Sequence, residues 1–361
     1  MFLSVNFYLF VILIYILLIM LVSLLISIVA FTIYKRNIDV NKKLWQQHLA
    51  GVINLAILFK DEEETSEEDR ADITGKIRTL FPNPRFREYV INELIQIKKS
   101  ISGSSISNLK KLYENLDLDR DSFEKLKKLK WHVRAKGIQE LGLMDQKKYQ
   151  KEIFWLTNNE NELVRNEAQC AMVDFSGFAG LSFLNVTEYP MSQWQQMQLL
   201  NKLHHVKAEN FDLIKKWMKS SNESVIVFAL KLARFYNCDE VYDEVVACLQ
   251  GSSLQLKTNA LEYLKEMPKE DTADLITTQN YLENKACNLK AIHALKEIGT
   301  EKQIPFLLDK LQDKDHDVKA AAARSISSLH PAGNSYLQSY LFADKNPWKS
   351  IFLQIQNERT A

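Results

Sequence analysis

The chain has 361 residues, a formal net charge of +1, and charged residues at 25% of positions. This near-neutral balance argues against broad nucleic-acid binding, which needs a basic face. The four cysteines form no Cys-x-x-Cys pair, which argues against a zinc site or a disulfide framework, and the small numbers of glycine and proline favour an almost wholly helical protein.

The N-terminal stretch predicts a membrane-spanning helix. Residues 1–34 contain no Asp, Glu, Lys or Arg, and Phe7–Ile33 is apolar apart from Ser23, Ser27 and Thr32. As a helix this run is about 40 Å long, which exceeds the ~30 Å hydrocarbon core of a bilayer. A cleaved signal peptide is the alternative, but no basic start, short apolar core or small-residue cleavage site is evident. We therefore predict a retained single-pass anchor over residues 1–34.

The charges that flank this anchor predict its orientation. Lys35, Arg36, Lys42 and Lys43 follow it, whereas no Lys or Arg precedes it. Because basic residues stay on the cytoplasmic side, we predict a cell-membrane protein whose C-terminal body is cytoplasmic.

Two segments separate the anchor from the main body. Residues 35–72 read as a juxtamembrane helix followed by an acidic linker, Lys60–Arg70. Whether this helix is continuous with the span is left open by the sequence. Residues 73–121 then predict an N-terminal helical cap. A helix is expected at Ala71–Phe81, and the amphipathic helices Arg85–Lys99 and Ile106–Leu116 are expected to form the cap.

From there on, a helix-length pattern recurs with a nearly constant period of about 31 residues. Its copies begin at Val133, Val164, Trp194, Val225, Leu256, Cys287 and Val318. Four residues after each start lies a column of mostly small residues, and apolar residues follow at five and eight, which is one stripe of a helix. A second apolar column precedes each later copy: Ile153, Phe183, Ile214, Val245, Ile276 and Leu307. Each unit therefore predicts an apolar first helix (A) and a small-residue second helix (B).

These residues resemble the HEAT-repeat family, and more narrowly the short HEAT-like repeats named after phycobilisome lyases. The motif is clearest in Leu307–Ala322 and again in Glu162–Ala168. The resemblance covers residues 122–330 and implies an α-solenoid that binds partners. The repeat is shorter than is usual for the family, and the unit at Trp194 has lost the valine and the alanine, so we expect that unit to be distorted.

The fold prediction is thus all-α, with one N-terminal transmembrane helix, an α-solenoid of about seven 31-residue helix pairs over 122–330, and helical caps. Residues 331–361 are expected to form the C-terminal cap.

No catalytic motif accompanies this architecture. The sequence contains no phosphate-binding glycine loop, nucleophile elbow, His-Glu-x-x-His helix or EF-hand loop. The adjacent His204 and His205 would point about 100° apart on a helix, which does not suit one metal. We predict no catalytic residue, cofactor or metal. The cysteines are expected to be buried free thiols, and the tryptophans of the repeats to be core residues, with an aromatic binding stripe as the alternative.

The B helices of such solenoids usually line the inner surface. We take the exposed B positions as a candidate partner-binding surface: Lys136, Gln139, Glu140, Lys231, Glu262 and Arg324. Their mixed charge favours a protein partner over nucleic acid. A basic residue follows the valine column in several units, at Arg134, Arg165, Lys257 and Lys319. In the family this residue pairs with an acidic side chain near a neighbouring turn, and an anion-binding stripe is the alternative.

The leading functional hypothesis is a membrane-anchored scaffold that binds a protein partner through a cytoplasmic HEAT-like solenoid. A lyase-like or regulatory subunit of an enzyme complex is the alternative, and nucleic-acid binding is the least favoured. The sequence leaves the partner and the oligomeric state open.

Overall fold

The computed structural model describes residues 2–58, 79–101, 103, 105–208, 210–278, 284–329 and 337, with the side chains of 2–12, 37–41, 48, 52 and 54–58 excepted. Every regular element in these ranges is a helix, which confirms the predicted all-α class. The chain divides into two compact units: Met1–Lys128 with Leu143–Gln146, and Leu129–Gly142 with Lys147–Ala361. The predicted acidic linker, most of the predicted helix Ala71–Phe81 and nearly all of the C-terminal cap lie outside the described residues.

The first helix, α1, is unbroken from Phe2 to Leu58. Within it Leu13–Arg36 has a mean hydropathy of 3.0 and none of it is buried, so this segment is long and apolar enough to cross a membrane. Its polar side chains bond to the helix itself: the Ser23 hydroxyl donates to the Met20 carbonyl and the Thr32 hydroxyl to that of Ile28, both at 2.8 Å. The juxtamembrane helix is therefore continuous with the predicted span.

The first unit has its own core, built where α1 meets the predicted cap helices. Two of these are α2 (Pro84–Ser100) and α3 (Ser105–Asn115), and a third helix that the sequence analysis did not predict, α4 (Leu118–Leu126), contributes Leu118 to the core. Leu49 and Ile53 of α1 are 2% and 7% exposed in this core, and the Trp45 ring meets the Phe86 ring edge-on at 5.6 Å. The C-terminal part of α1 is thus a structural member of the cap.

The second unit alternates the two predicted kinds of helix. In chain order its helices are α5 (Trp131–Leu143), α6 (Gln150–Leu156), α7 (Glu162–Ser176), the 3-10 helix Gly177–Asn185, α8 (Gln193–Lys202), α9 (Phe211–Trp217), α10 (Glu223–Phe235), α11 (Tyr242–Gln250), α12 (Leu254–Glu266), α13 (Thr272–Thr278), α14 (Lys285–Ile298), α15 (Ile304–Lys310) and α16 (His316–Leu329). Helices α5, α7, α8, α10, α12, α14 and α16 are the B helices. Short 3-10 turns at Lys147–Tyr149 and Glu301–Gln303 precede α6 and α15.

The predicted apolar columns form the core of this unit. All six members of the A column, from Ile153 to Leu307, have 0% exposure. The column five residues after the start of each repeat pattern is also buried throughout, including Gln169 at 1%. The columns four and eight residues after the start of each repeat pattern are buried except at Gln198 and Lys202, which belong to the aberrant unit at Trp194. This burial confirms a solenoid in which neighbouring helix pairs cover each other's apolar faces.

A further column, at the start of the B helices, was missed by the sequence reasoning. Six side chains, one in each successive unit, accept hydrogen bonds from the first free backbone N–H groups of their helices: Asn161, Ser192, Asn222, Ser253, Asn284 and Asp315. Before α16 this position is held by Asp315, which accepts from the Asp317 N–H at 2.8 Å; the sequence predicts a cap at Asp317 or a neighbouring residue. These N-caps define where each B helix begins.

The unit around Trp194 is distorted, as predicted. Its A element is the 3-10 helix Gly177–Asn185, which begins at Gly177 with φ +56°. At Gly180 a Cβ would lie 2.2 Å from the Met172 carbonyl oxygen. The chain therefore folds back against α7 more closely than any side chain would allow, and a regular helix pair has no room to form.

The backbones of α5 and α7 also pack closely against each other, at Gly142 and Ala171. This packing leads to a testable prediction about stability. A Cβ on Gly142 would lie 2.9 Å from the Ala171 Cβ and 3.2 Å from its Cα. We expect Gly142→Ala to destabilise the second unit by about 2 kcal/mol, because two backbones must move apart. Urea unfolding would measure this, with Gly251→Ala as the control, since its nearest contact is an ordinary 3.6 Å. Equal stabilities of the two variants would contradict the packing argument.

Candidate partner-binding surface

The predicted surface residues on α5 differ in exposure. Gln139 is exposed, and the Lys136 side chain is 41% exposed. Glu140 is 1% exposed, so the prediction that it lies on the surface is wrong. It lies seven residues, two helical turns, after Val133, and this places it on the packed stripe. The equivalent positions of later units include Tyr263 and Ala294, both buried.

The remaining three predicted residues occupy the same repeat position as Gln139, six residues after the start of the repeat pattern in each unit. Lys231, Glu262 and Arg324 are each half-buried. The Lys231 ammonium donates a 2.7 Å hydrogen bond to the Gln196 Oε1, which joins α10 to α8. Burial, and secondarily the charge of Arg234, lowers the pKa of Lys231. The half-buried residues at this repeat position thus lie at the boundary between neighbouring B helices.

Ion pairs continue this connection from α10 to α12. The Arg234 guanidinium donates to both carboxylate oxygens of Glu266, with Nε to Oε2 at 3.0 Å, and its Nη2 lies 3.8 Å from Glu262. The hydrogen bond to Glu266 is the main reason that the pKa of Arg234 is raised. A bidentate pair of this kind fixes the rotation of one helix against the next.

Glu262 carries the network on from α12 to α14. It accepts a hydrogen bond from the Lys290 ammonium, and Lys265 lies 3.9 Å from it and 3.7 Å from Glu297. Burial acts to raise the pKa of Glu262, but the Lys290 hydrogen bond and the three neighbouring cations outweigh it, so the pKa is lowered. Glu262 is therefore held as a carboxylate. We call these neighbouring charged residues of α10, α12 and α14 the charged ladder: Lys231, Arg234, Glu262, Lys265, Glu266, Lys290 and Glu297.

Positive charge exceeds negative charge around this ladder. The exposed His293 of α14 has its pKa lowered by burial and then by four cations: Lys296, Lys290, Lys265 and Arg324. The ladder itself contains four cations and three carboxylates, and Lys296 and Arg324 add positive charge near His293. Excess positive charge on a surface is complementary to negative charge on another protein.

The titration of His293 is expected to report this local field. In Lys296→Met the pKa of His293 should move up towards 6.5, because a like charge is removed. In the native chain the lowered pKa favours neutral imidazole, so the stability from this group is complete above about pH 6.5 and declines as the pH falls below it. An NMR titration of the imidazole would test the first statement, and urea unfolding at pH values above and below 6.5 would test the second. Lys302→Met is the control, and an equal shift there would contradict the local origin.

The predicted pairing of the basic residue after the valine column is wrong for Arg165. Its guanidinium donates to two carbonyls of its own turn, Asn159 at 2.7 Å and Glu160 at 2.9 Å. It also lies 4.4 Å above the Tyr189 ring. Other inter-unit ion pairs are made at three places: late in the B helices, at the start of α14 and α16 between Lys285 and Asp315, and at the A helix α11, where Glu244 lies 3.5 Å from Lys215. The sequence signal for them was a set of opposite charges separated along the chain by close to one repeat.

The tryptophans are mostly surface residues, contrary to the core interpretation. Trp217 is 1% exposed and its indole N–H donates to the Asn185 side chain at 3.2 Å, as a core residue would. Trp131, Trp155 and Trp194 are 46%, 74% and 50% exposed. On α8, next to the charged ladder, Met197 is 58% exposed as well. Exposed Trp and Met beside Arg are typical of protein interfaces.

The other predicted side chains offer no reactive group. Cys170, Cys238 and Cys287 are buried free thiols as predicted, and Cys248 is half-buried. Burial raises the pKa of Cys170 to about 12, so the thiolate is not populated near neutrality. His204 and His205 lie in the turn after α8, and not on a helix as assumed, with their rings 4.8 Å apart. Across the described ranges no three His, Cys, Asp or Glu side chains converge as metal ligands.

Comparison with protein families identifies one match. Residues 242–327, which run from the start of α11 into α16, match the family model described as HEAT repeats. This segment contains Glu262, Lys265, Glu266, Lys290 and Glu297 of the charged ladder. No curated protein matches the chain. The narrower resemblance to phycobilisome-lyase repeats stays a prediction.

Three solved structures are similar to the chain at low identity. Human deoxyhypusine hydroxylase in complex with glycerol is 12% identical, with 81% of this chain and 99% of that chain covered and a TM-score of 0.31. An engineered protein is 12% identical, with 86% and 99% covered and a TM-score of 0.36. A designed armadillo repeat protein in complex with the peptide (KR)4 is 13% identical, with 69% and 95% covered and a TM-score of 0.24.

Proposed function

We propose that this protein is a membrane-anchored scaffold that holds an acidic protein partner against the B helices of its solenoid. The charged ladder and the exposed side chains on the adjoining helix are the observation that carries the proposal. Trp194 and Met197 supply exposed apolar area on α8, and the ladder supplies excess positive charge on α10, α12 and α14. An aromatic anchor beside complementary charge is the usual composition of a specific interface.

The anchoring half of the proposal rests on α1. The 24-residue segment Leu13–Arg36 has a mean hydropathy of 3.0 and is exposed throughout. Soluble proteins rarely expose an apolar surface of this size. The same unbroken helix continues from this segment to Leu49 and Ile53 in the core of the first unit. We infer a retained anchor, and the basic residues from Lys35 to Lys43 support a cytoplasmic body. Tethering would raise the effective concentration of the partner at the membrane.

Site-specific photocrosslinking in intact membranes would test the partner surface. A photoreactive residue at Gln139 or Met197 on the B helices is expected to give one reproducible protein adduct. The matched controls are Lys151 on α6 and Lys216 on α9, which are exposed on A helices. The adduct should weaken as salt is raised, because the attraction is between exposed charges. Equal adducts from A and B positions would contradict the proposed surface.

Orientation needs a separate measurement. Protease added to intact cells is expected to leave the body uncut, and protease added to inverted vesicles is expected to digest it. The reverse pattern would place the body outside the cytoplasm and leave the solenoid surface unaffected. The alternative of a lyase-like or regulatory enzyme subunit stays a prediction, since no feature of the described residues favours it.

A further inference from the structure

A groove in the first unit lies where α1 leaves its apolar segment. It has a volume of about 540 Å³ and is formed by α1 and the first turns of α2. Its lining side chains include Lys42 and Trp45 from α1, and Arg85, Tyr89 and Glu93 from α2. The groove therefore combines cations, aromatic rings and a carboxylate within one small volume.

The two cations of the groove are available to a ligand. Lys42 and Arg85 are both exposed, and neither side chain has a hydrogen-bond or ion-pair partner in the ranges that the structure describes. By contrast, Glu88 on the same wall is already paired with Lys125 at 2.5 Å. Of the two carboxylates in the groove, Glu88 is thus engaged elsewhere and Glu93 remains, so the two cations exceed the remaining negative charge. Lys42 and Arg85 are therefore suited to bind a phosphate group.

The aromatic and acidic side chains offer a second, complementary subsite. The rings of Trp45 and Tyr89 lie 5.6 Å apart at a tilt of 49°. The Tyr89 hydroxyl bonds to Glu93, and burial together with the Glu93 charge raises the pKa of that phenol. Aromatic faces beside a carboxylate attract an ammonium group through cation–π and ion-pair contacts. A ligand that carries both a phosphate and an ammonium would satisfy both subsites.

The position of the groove on α1 indicates where such a ligand would come from. Lys42 lies six residues beyond Arg36, about 9 Å further along the helix, and less than that along the bilayer normal if the helix is tilted. The headgroup layer extends roughly 5–8 Å beyond the hydrocarbon on each side. The long side chain of Lys42 therefore reaches the layer that contains lipid phosphates.

We propose that the groove formed by Lys42, Trp45, Arg85, Tyr89 and Glu93 binds the headgroup of a zwitterionic phospholipid, with the phosphate at Lys42 and Arg85 and the ammonium between the rings and Glu93. This inference rests on the proposed membrane anchor. The bound headgroup would connect α1 to α2 at the membrane surface and thereby hold the first unit against the bilayer.

Native mass spectrometry of the full chain, released from nanodiscs of mixed phosphatidylethanolamine and phosphatidylglycerol, tests this. The native protein is expected to retain phosphatidylethanolamine in preference. Lys42→Gln with Arg85→Gln should lower lipid affinity about tenfold for each cation removed. Glu93→Gln should keep the lipid but lose the preference for phosphatidylethanolamine. Lys99→Gln with Lys111→Gln, which removes two exposed cations of the same unit outside the groove, should change neither quantity.

Two results would overturn the headgroup site: equal lipid retention by the Lys42/Arg85 variant and the Lys99/Lys111 control, or an unchanged lipid preference in Glu93→Gln. Soluble phosphorylethanolamine at millimolar concentration should not displace the lipid, because it lacks the acyl chains that hold the headgroup in place. Extraction by alkaline carbonate distinguishes failure of the headgroup site from failure of the proposed membrane anchor. If the native chain is extracted, the anchor fails; if it stays in the membrane while the lipid result is negative, the headgroup site alone fails.

Discussion

Removing residues 1–36 is expected to release the chain from the membrane and leave both compact units folded. The deleted segment contains the whole exposed apolar stretch Leu13–Arg36, of which none is buried. The variant should therefore remain in the supernatant after alkaline carbonate treatment, whereas the native chain should sediment with the membranes. Its helical circular dichroism and its resistance to limited proteolysis should match those of the native body.

Removing residues 1–53 is the matched deletion and has the opposite consequence for the fold. It takes away Trp45, Leu49 and Ile53, which pack in the core of the first unit. Each large-to-small change in a core typically destabilises by about 2–5 kcal/mol, and losing three such side chains approaches the whole stability of a small domain. The first unit should become protease-sensitive. Equal resistance of the two deletions would show that α1 is not part of that core.

The second large effect is expected at Asn222, which stabilises the solenoid in two ways. Its Oδ1 accepts from the Ser224 N–H at 3.1 Å and caps α10. Its Nδ2 lies within hydrogen-bond distance of three carbonyls of the preceding unit, at Thr187, Glu188 and Tyr189, at 3.2–3.3 Å. Asn222→Ala removes the cap and leaves those carbonyls without this donor. We expect a loss of about 3 kcal/mol in the free energy of unfolding.

Two further variants separate these contributions. Asn284→Ala removes a cap with bonds to the Ala286 and Cys287 N–H groups, and should lose only about 1 kcal/mol. Asn222→Asp keeps the capping oxygen but replaces the amide donor with a carboxylate that faces three carbonyl oxygens, and should lose nearly as much as Asn222→Ala. Urea unfolding of the soluble deletion would give all three values. Equal losses for Asn222→Ala and Asn284→Ala would mean that the inter-unit bonds contribute nothing.

These two residues also show how far sequence reasoning reaches. Asn222 and Asn284 belong to a cap column with the same period as the predicted helices, so their role was present in the sequence and was overlooked. The three carbonyl partners of Asn222 could not be predicted from the sequence. Their positions depend on the irregular 3-10 helix that replaces an A helix in the preceding unit. The sequence could predict that this unit is distorted, since its valine and alanine are missing, but not the form that the distortion takes.

The surface residues show the same division between what the sequence predicts and what depends on the tertiary structure. Glu140 and Gln139 are neighbours in the chain and equally polar, yet one is buried and the other exposed. The ladder residues Arg234 and Glu266 carry charges that the sequence displays, but their pairing depends on how far one helix is rotated against the next. The tryptophans were assigned to the core on hydrophobicity alone, and three of the four have a large exposed fraction.

The amino-acid order by itself determined the helical class, the period of the helix pairs, the A-column core and the apolar segment of α1. These properties are local or periodic, so they can be read from the spacing of side chains along the chain. Tertiary structure decided the continuity of α1 into the first unit, the course of the aberrant unit, and which charges meet across the B helices. Those outcomes depend on the rotation and separation of packed helices, which all contacting side chains fix together and no single segment encodes.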